Sequence, residues 1–180
     1  MSCSIQAGYS IECTESVGGI ETIYLIENSN LYDASGNSRV TSASGVVTAL
    51  TKDSGTRFWK FEVPRGTAMA SNSISASPEN GTFYYTHEVK FPINSRSATV
   101  RNIVATLAKN RLTFVCVEGD GTARMYGKEF GLQMTGTEAG SGGNLTLYTG
   151  SLTVSPNKSV YDLTDTNIVA IETGSSADNK

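Results

Sequence analysis

The sequence predicts an α+β fold that is mainly β: an antiparallel β-sandwich or open barrel with one flanking helix and a long β-hairpin arm. Three observations predict it. Short runs of β-branched and aromatic residues recur between Gly, Asn and Ser clusters, the pattern of strands and turns. One Asn-Gly pair, Asn80-Gly81, separates two arms of strand length. Only one segment, residues 95–109, carries a clear helical periodicity. At 180 residues the chain suits one domain, expected over 1–155, with an extension over 156–180. A chain of this length buries roughly 70% of its unfolded surface, so it needs no disulfide staples.

Ile20 to Ile26 follows Gly18-Gly19 and is apolar enough for a largely buried strand. Asn28 to Ser44 is rich in Ser, Asn, Gly and Asp, which predicts a long loop or insertion. Gly45 to Leu50 is a short strand, and Lys52 to Gly55 a turn. In Arg57 to Val63, Phe58 and Lys60 alternate with Trp59 and Phe61, so one aromatic face is expected to look inward and the other outward. The hairpin arm spans about 67–92. Its first half is small and polar, with Ala68, Ala70, Ser71, Ser73 and Ser75; its second is aromatic, with Phe83, Tyr84, Tyr85 and Phe91. Such an arm buries itself poorly in its own domain and is suited to a neighbour.

The helix follows, capped at Asn94 or Ser95, with Val100, Ile103, Val104 and Leu107 at i, i+3, i+4 and i+7. Asn110 sits where a left-handed residue would end it. Arg111 to Val117 and Thr122 to Tyr126 are strands joined by Gly119-Asp120-Gly121. Gly127 and Gly131 mark a bulge or a new strand, and Gly136 to Gly143 a flexible loop. Asn144 to Leu152 alternates as a strand. Beyond Ser155, Val160 to Leu163 and Ile168 to Ile171 are small sticky segments within a polar tail, and Gly174 to Lys180 is expected to be disordered.

Composition excludes several functions. A net charge of −3 lacks the basic footprint of a dedicated nucleic-acid binder. No run approaches the roughly 18 apolar residues of a membrane-spanning helix. Residues 1–8 have neither a basic nor an apolar leader segment, so the chain is expected to be made and left in a cytoplasm. Three cysteines cannot all pair, which fits reduced thiols, and Cys116 lies in an apolar run as a small hydrophobe. Cys3 and Cys13 stand ten apart and far from the single histidine, His87, so no metal site is expected.

Chemistry-bearing motifs are equally sparse. A hydrolase would have to rest on His87 and Glu88, in a strand where a histidine is more often structural. Ser155-Pro156-Asn157-Lys158 matches S-x-x-K without companion motifs. Gly140 to Gly143 precedes a strand rather than a helix and lacks a following Lys-Ser/Thr, so it is no phosphate loop. Glu118 and Asp120 lack the spacing of a calcium loop. No catalytic residue, cofactor site or metal ligand is assigned. Trp59, Tyr84 and Tyr85 motivate one alternative, a β-sandwich module binding carbohydrate or a receptor.

Taken in order, several blocks carry a resemblance. They are Cys3-Ser4-Ile5 with Ala7-Gly8, Ile11 to Ile20, Gly55 to Glu62, and the hairpin through Asn80-Gly81-Thr82. Val100 to Arg111, Tyr126 to Leu132, and Gly142 to Gly150 complete the set. With these blocks the chain resembles tail-tube and related ring-forming structural proteins of tailed bacteriophages, particularly those infecting Bacteroides-like bacteria, over roughly residues 1–154. The resemblance implies a virion protein of the tail, made in the host bacterial cytoplasm, with no catalytic residues and no cofactor. It implies rings, hexameric in that family, whose inner strands join into a β-barrel lumen and which stack into a tube. DNA would pass without specific binding, and other tail and neck proteins would be partners. The insertion at 28–44 and the extension beyond Ser155 are longer than the family's pattern, which leaves tube, terminator, neck ring and baseplate ring open. The expected self-assembly interface is Thr67, Ala68, Ala70, Ser73, Ser75, Asn80, Gly81, Phe83 and Tyr85.

Overall fold

A computed structural model describes residues 19–64, 66–77, 79, 81–93, 106–139, 145–150, 153–154 and 160–174. The predicted helix start, the Asn80 turn position, the loop residues 140–144 and the last residues, 175–180, lie outside this set.

The chain is mainly β. Twelve strands run in order: β1 (Ile20–Glu27), β2 (Val40–Ala43), β3 (Val46–Leu50), β4 (Trp59–Glu62), β5 (Met69–Ser77), β6 (Thr82–Ile93), β7 (Leu112–Glu118), β8 (Ala123–Tyr126), β9 (Gln133–Ala139), β10 (Leu145–Gly150), β11 (Thr153–Val154) and β12 (Tyr161–Leu163). A helix, α1 (Asp165–Gly174), follows. Seven strands form one sheet in the order β2-β3-β12-β8-β7-β1-β4, and the others a second sheet centred on β6. Among the described residues neither sheet closes into a barrel, and the first is mixed rather than antiparallel throughout, because β12 runs parallel to β3.

Alternation along the central strands builds two cores. On β1, Ile23 and Leu25 point to one face and Tyr24 and Ile26 to the other, all of them buried. On β7, Phe114 and Cys116 share the first face and Val115 takes the second. The first core lies between the sheets, where Val89 and Phe91 of β6 meet Phe114 and Ile23. The second is covered by Phe58, Leu31 and Ile171 of α1. A strand covered on both faces must be apolar nearly throughout, which is why β7 is a continuous run. Burial drives the Cys116 thiol far above its ordinary value, so it packs as an inert hydrophobe.

Four expectations are corrected. Asn28–Ser44 is not simply a loop: a 3-10 turn (Asn28–Leu31) buries Leu31, and β2 then pairs with β3 through a tight turn. That turn holds Ser44 at φ 51° and Gly45 at φ 82°, the paired positive values of a type I′ hairpin. Gly136–Ala139, expected as loop, belongs to β9, because pairing with β10 supplies the hydrogen bonds its polar side chains do not advertise. The segment after Val160 supplies an interior strand, β12, set between β3 and β8, and Ile171 of α1 is fully buried. Finally, the predicted helix is described only at residues 106–109, with Leu107 packed against the inter-sheet core. It ends before Asn110, which does not adopt the left-handed conformation and instead donates from Nδ2 to Glu27 Oε1 at 3.0 Å.

α1 is anchored by polar chemistry as well. Thr164 O accepts from the Asn167 and Ile168 amides, and the buried Asn167 donates from Nδ2 to Val47 O at 2.8 Å. Asn167→Ala leaves that carbonyl without its partner, and urea unfolding is expected to show a loss of about 1–2 kcal/mol.

Candidate assembly arm

β6 is the longest strand and the centre of the second sheet. β5 pairs along one side of it from Met69↔Lys90 to Ser77↔Thr82, while β10 and β11 share the other. Among the described residues β5 pairs with β6 alone. The predicted turn is present in that Gly81 takes φ 60°.

Register sorts the arm into two faces. On one, Met69, Ser71, Ser73, Ser75 and Ser77 stand opposite Lys90, Glu88, Thr86, Tyr84 and Thr82, an almost wholly polar set. On the other, Ala70 is opposite Val89, Asn72 opposite His87, Ile74 opposite Tyr85, and Ala76 opposite Phe83. The base of this second face belongs to the inter-sheet core: Val89 and His87 are buried, and Ala68 and Ala70 pack against the same cluster. Two residues further toward the tip the same face leaves the core, and Ile74 is 62% exposed. Past the polar Asn72–His87 rung, this face therefore presents an exposed apolar side chain beyond the structure that buries its base.

The predicted interface residues divide accordingly. Ala68 and Ala70 are half-buried against the chain's own core. Thr67 is exposed in the turn before β5 and donates from Oγ1 to Pro64 O at 2.5 Å. Ser73 and Gly81 are exposed, Ser75 and Tyr85 half-buried, and Phe83 occupies the register position opposite Ala76. Ile74 was not singled out by sequence reasoning, although it is the one large branched apolar residue between Met69 and Phe83.

His87 ends the buried part of the arm. Its Nδ1 accepts the Gly127 amide at 3.2 Å, its ring meets Tyr126 edge-on at 5.9 Å, and burial lowers its pKa below the ordinary value. Nε2 is buried, with no hydrogen-bond partner among the described residues. Glu88, its neighbour, stands on the opposite face of β6 and pairs with Lys90 at 2.9 Å, so the two are not brought together as an acid–base pair. Trp59 lies on β4 in the other sheet from Tyr85, and the Arg57 guanidinium covers its ring at 4.4 Å.

A second cluster is polar and internally satisfied. Lys128, nearly buried, places Nζ 3.0 Å from Ser42 Oγ, 3.3 Å from Glu129 Oε1 and 4.5 Å from the Tyr161 ring. Tyr161 donates to the same carboxylate at 3.2 Å, and its pKa is raised by burial and then by Glu129. This cluster ties β2 and β12 to the turn after β8.

Among the described residues no group of three His, Cys, Asp or Glu side chains could hold a metal ion. No helix among them is long and apolar enough to cross a membrane. Compared with protein-family models, curated proteins and solved structures, the chain finds no match.

Proposed function

We propose that the chain is a virion structural protein that self-assembles into rings or a tube forming a tail conduit for genome DNA. One observation carries the reading: on the core-side face of the β5–β6 arm, past the core, Ile74 stands 62% exposed opposite Tyr85. A surface of this kind is stabilised when a neighbouring copy covers it. A receiving surface elsewhere on the molecule would make the contact head-to-tail, and a rotation that closes it would make a ring. Six copies per ring, stacking into a tube, and contacts with other tail and neck proteins follow from the resemblance of the sequence blocks. A net charge of −3 suits a lumen through which DNA slides without counterion-release binding. A neck ring, baseplate ring or tail terminator of the same fold would use the same arm.

Negative-stain microscopy and light scattering of the purified chain test the reading. Rings or tubes are expected; a strict monomer at high concentration overturns it. Ile74→Asp is expected to change unfolding free energy by no more than about 0.5 kcal/mol, because the side chain is exposed. The same variant is expected to lose the assembled species. Deleting Ser75–Thr82 should likewise leave a folded monomer, and a deletion that still polymerised would remove the arm from the mechanism.

A further inference from the structure

We propose that His87 is an acid-operated latch between the arm and the seven-stranded sheet: neutral, it holds Gly127; protonated, it releases the base of the arm. The position is the boundary rung. Toward the base Ala70 and Val89 are packed, and toward the tip Ile74 is exposed. A hydrogen bond from the Gly127 amide to His87 Nδ1 ties the arm to the turn after β8. With Nδ1 accepting, the ring proton of the neutral form sits on Nε2, and an added proton goes to Nδ1. That removes the acceptor and sets two N–H donors face to face. It also leaves a cation whose buried Nε2 has no partner among the described residues.

Among the described residues, the charged and titratable groups near the ring do not offset the added charge. Asn72, directly across on β5, is uncharged. Tyr126 of β8 has its pKa pushed up to about 12, first by burial, and stays neutral. Lys128, beyond Gly127, is a cation already engaged by Ser42 and Glu129. Glu88 and Lys90 of β6 itself are paired on the other face. Burial is the sole cause of the lowered His87 pKa. The released state therefore binds the proton more tightly than the latched one. Latching is complete above the ordinary value of 6.5 and weakens as pH falls below it, until the lowered value is passed.

Hydrogen–deuterium exchange read by mass spectrometry tests this in the full chain, after correction for intrinsic exchange rates. Between pH 7 and pH 5, protection of peptides covering residues 69–91 and 123–132 is expected to fall by up to about tenfold per pH unit. Peptides covering β1 and β7 should hold their protection. His87→Asn keeps an acceptor near the Nδ1 position but cannot titrate, and its profile should be flat. Equal falls in the variant and the parent overturn the proposal. So does a parallel fall in β1 and β7, which would mean that acid loosens the whole fold; this comparison within the parent decides even if the variant does not fold. The readouts lie within one chain, so the result does not depend on whether copies assemble.

Discussion

Phe91→Ala is expected to cost about 3–5 kcal/mol of folding free energy, the range for emptying a buried aromatic site. Phe91 is 1% exposed and stands on β6, the central strand of the second sheet. Its ring meets Phe114 of the first sheet at 6.3 Å and Phe61 of β4 at 6.0 Å, both edge-on. Three rings in series thus join the two sheets, and each edge-on pair adds roughly 0.5–1.5 kcal/mol beyond its buried area. Collapse into the vacated space is resisted by backbone pairing: Phe91 is registered with Leu147, and Phe114 with both Leu25 and Tyr126. Since domains are stable by only about 5–15 kcal/mol, the variant would sit close to unfolding at ordinary temperature. Urea titration measures the loss, and the slope with denaturant should stay that of the parent. A loss below about 1 kcal/mol would mean the sheets do not pack through this ring.

The elements readable in advance are those whose own residues carry the signal. Ile20 to Ile26 and Leu112 to Val117 were legible because a strand covered on both faces must be apolar, and the cores on either side of the first sheet explain why. The alternation at Phe58 to Phe61 was legible, but the expectation that one face looks outward was not met: Phe58 enters one core and Phe61 packs against the other. The hairpin arm followed from Asn80-Gly81, and register from strand length. What local pattern could not supply is sheet order. Tyr161–Leu163 is three residues long and takes its place between β3 and β8 from partners more than 35 residues away. Asn28 was hidden in Asn28-Ser29-Asn30, which looks like any turn-rich loop, yet it is 8% exposed and bonded across the molecule. In the arm, residue identity predicted which positions are small. Which face meets the core, and that Ile74 lies just beyond it, depends on where the other sheet stops. His87 showed the same division: its strand was legible, its partner Gly127 was not.

Gly131→Ala is expected to cost about 2–4 kcal/mol, whereas Gly45→Ala should cost only about 1 kcal/mol, although both glycines have positive φ. The difference lies in what an added Cβ meets. At Gly45, φ 82°, nothing lies within 4 Å, so the left-handed backbone is the whole penalty. At Gly131, φ 70°, the new carbon would stand 2.9 Å from Arg111 Cβ, 3.0 Å from Asn28 Cβ and 3.2 Å from the Arg111 carbonyl carbon. These atoms belong to or adjoin backbone that is already committed. The Asn28 amide donates to Arg111 O at 2.9 Å, and Leu112 and Leu132 exchange backbone bonds at 2.9 and 2.6 Å. Asn28 Nδ2 in turn donates to Thr113 Oγ1, Gly127 O and Lys128 O at 3.0, 3.2 and 2.9 Å. Moving Asn28 aside to admit a methyl would strain or break those bonds in a buried site, where each unmatched polar group costs about 1–3 kcal/mol. The corner joins β1, β7 and the turn after β8, so the loss should appear in global unfolding rather than as local fraying. Paired urea titrations of the two variants decide the matter: equal costs would mean that backbone conformation alone sets the penalty and that the corner yields without loss.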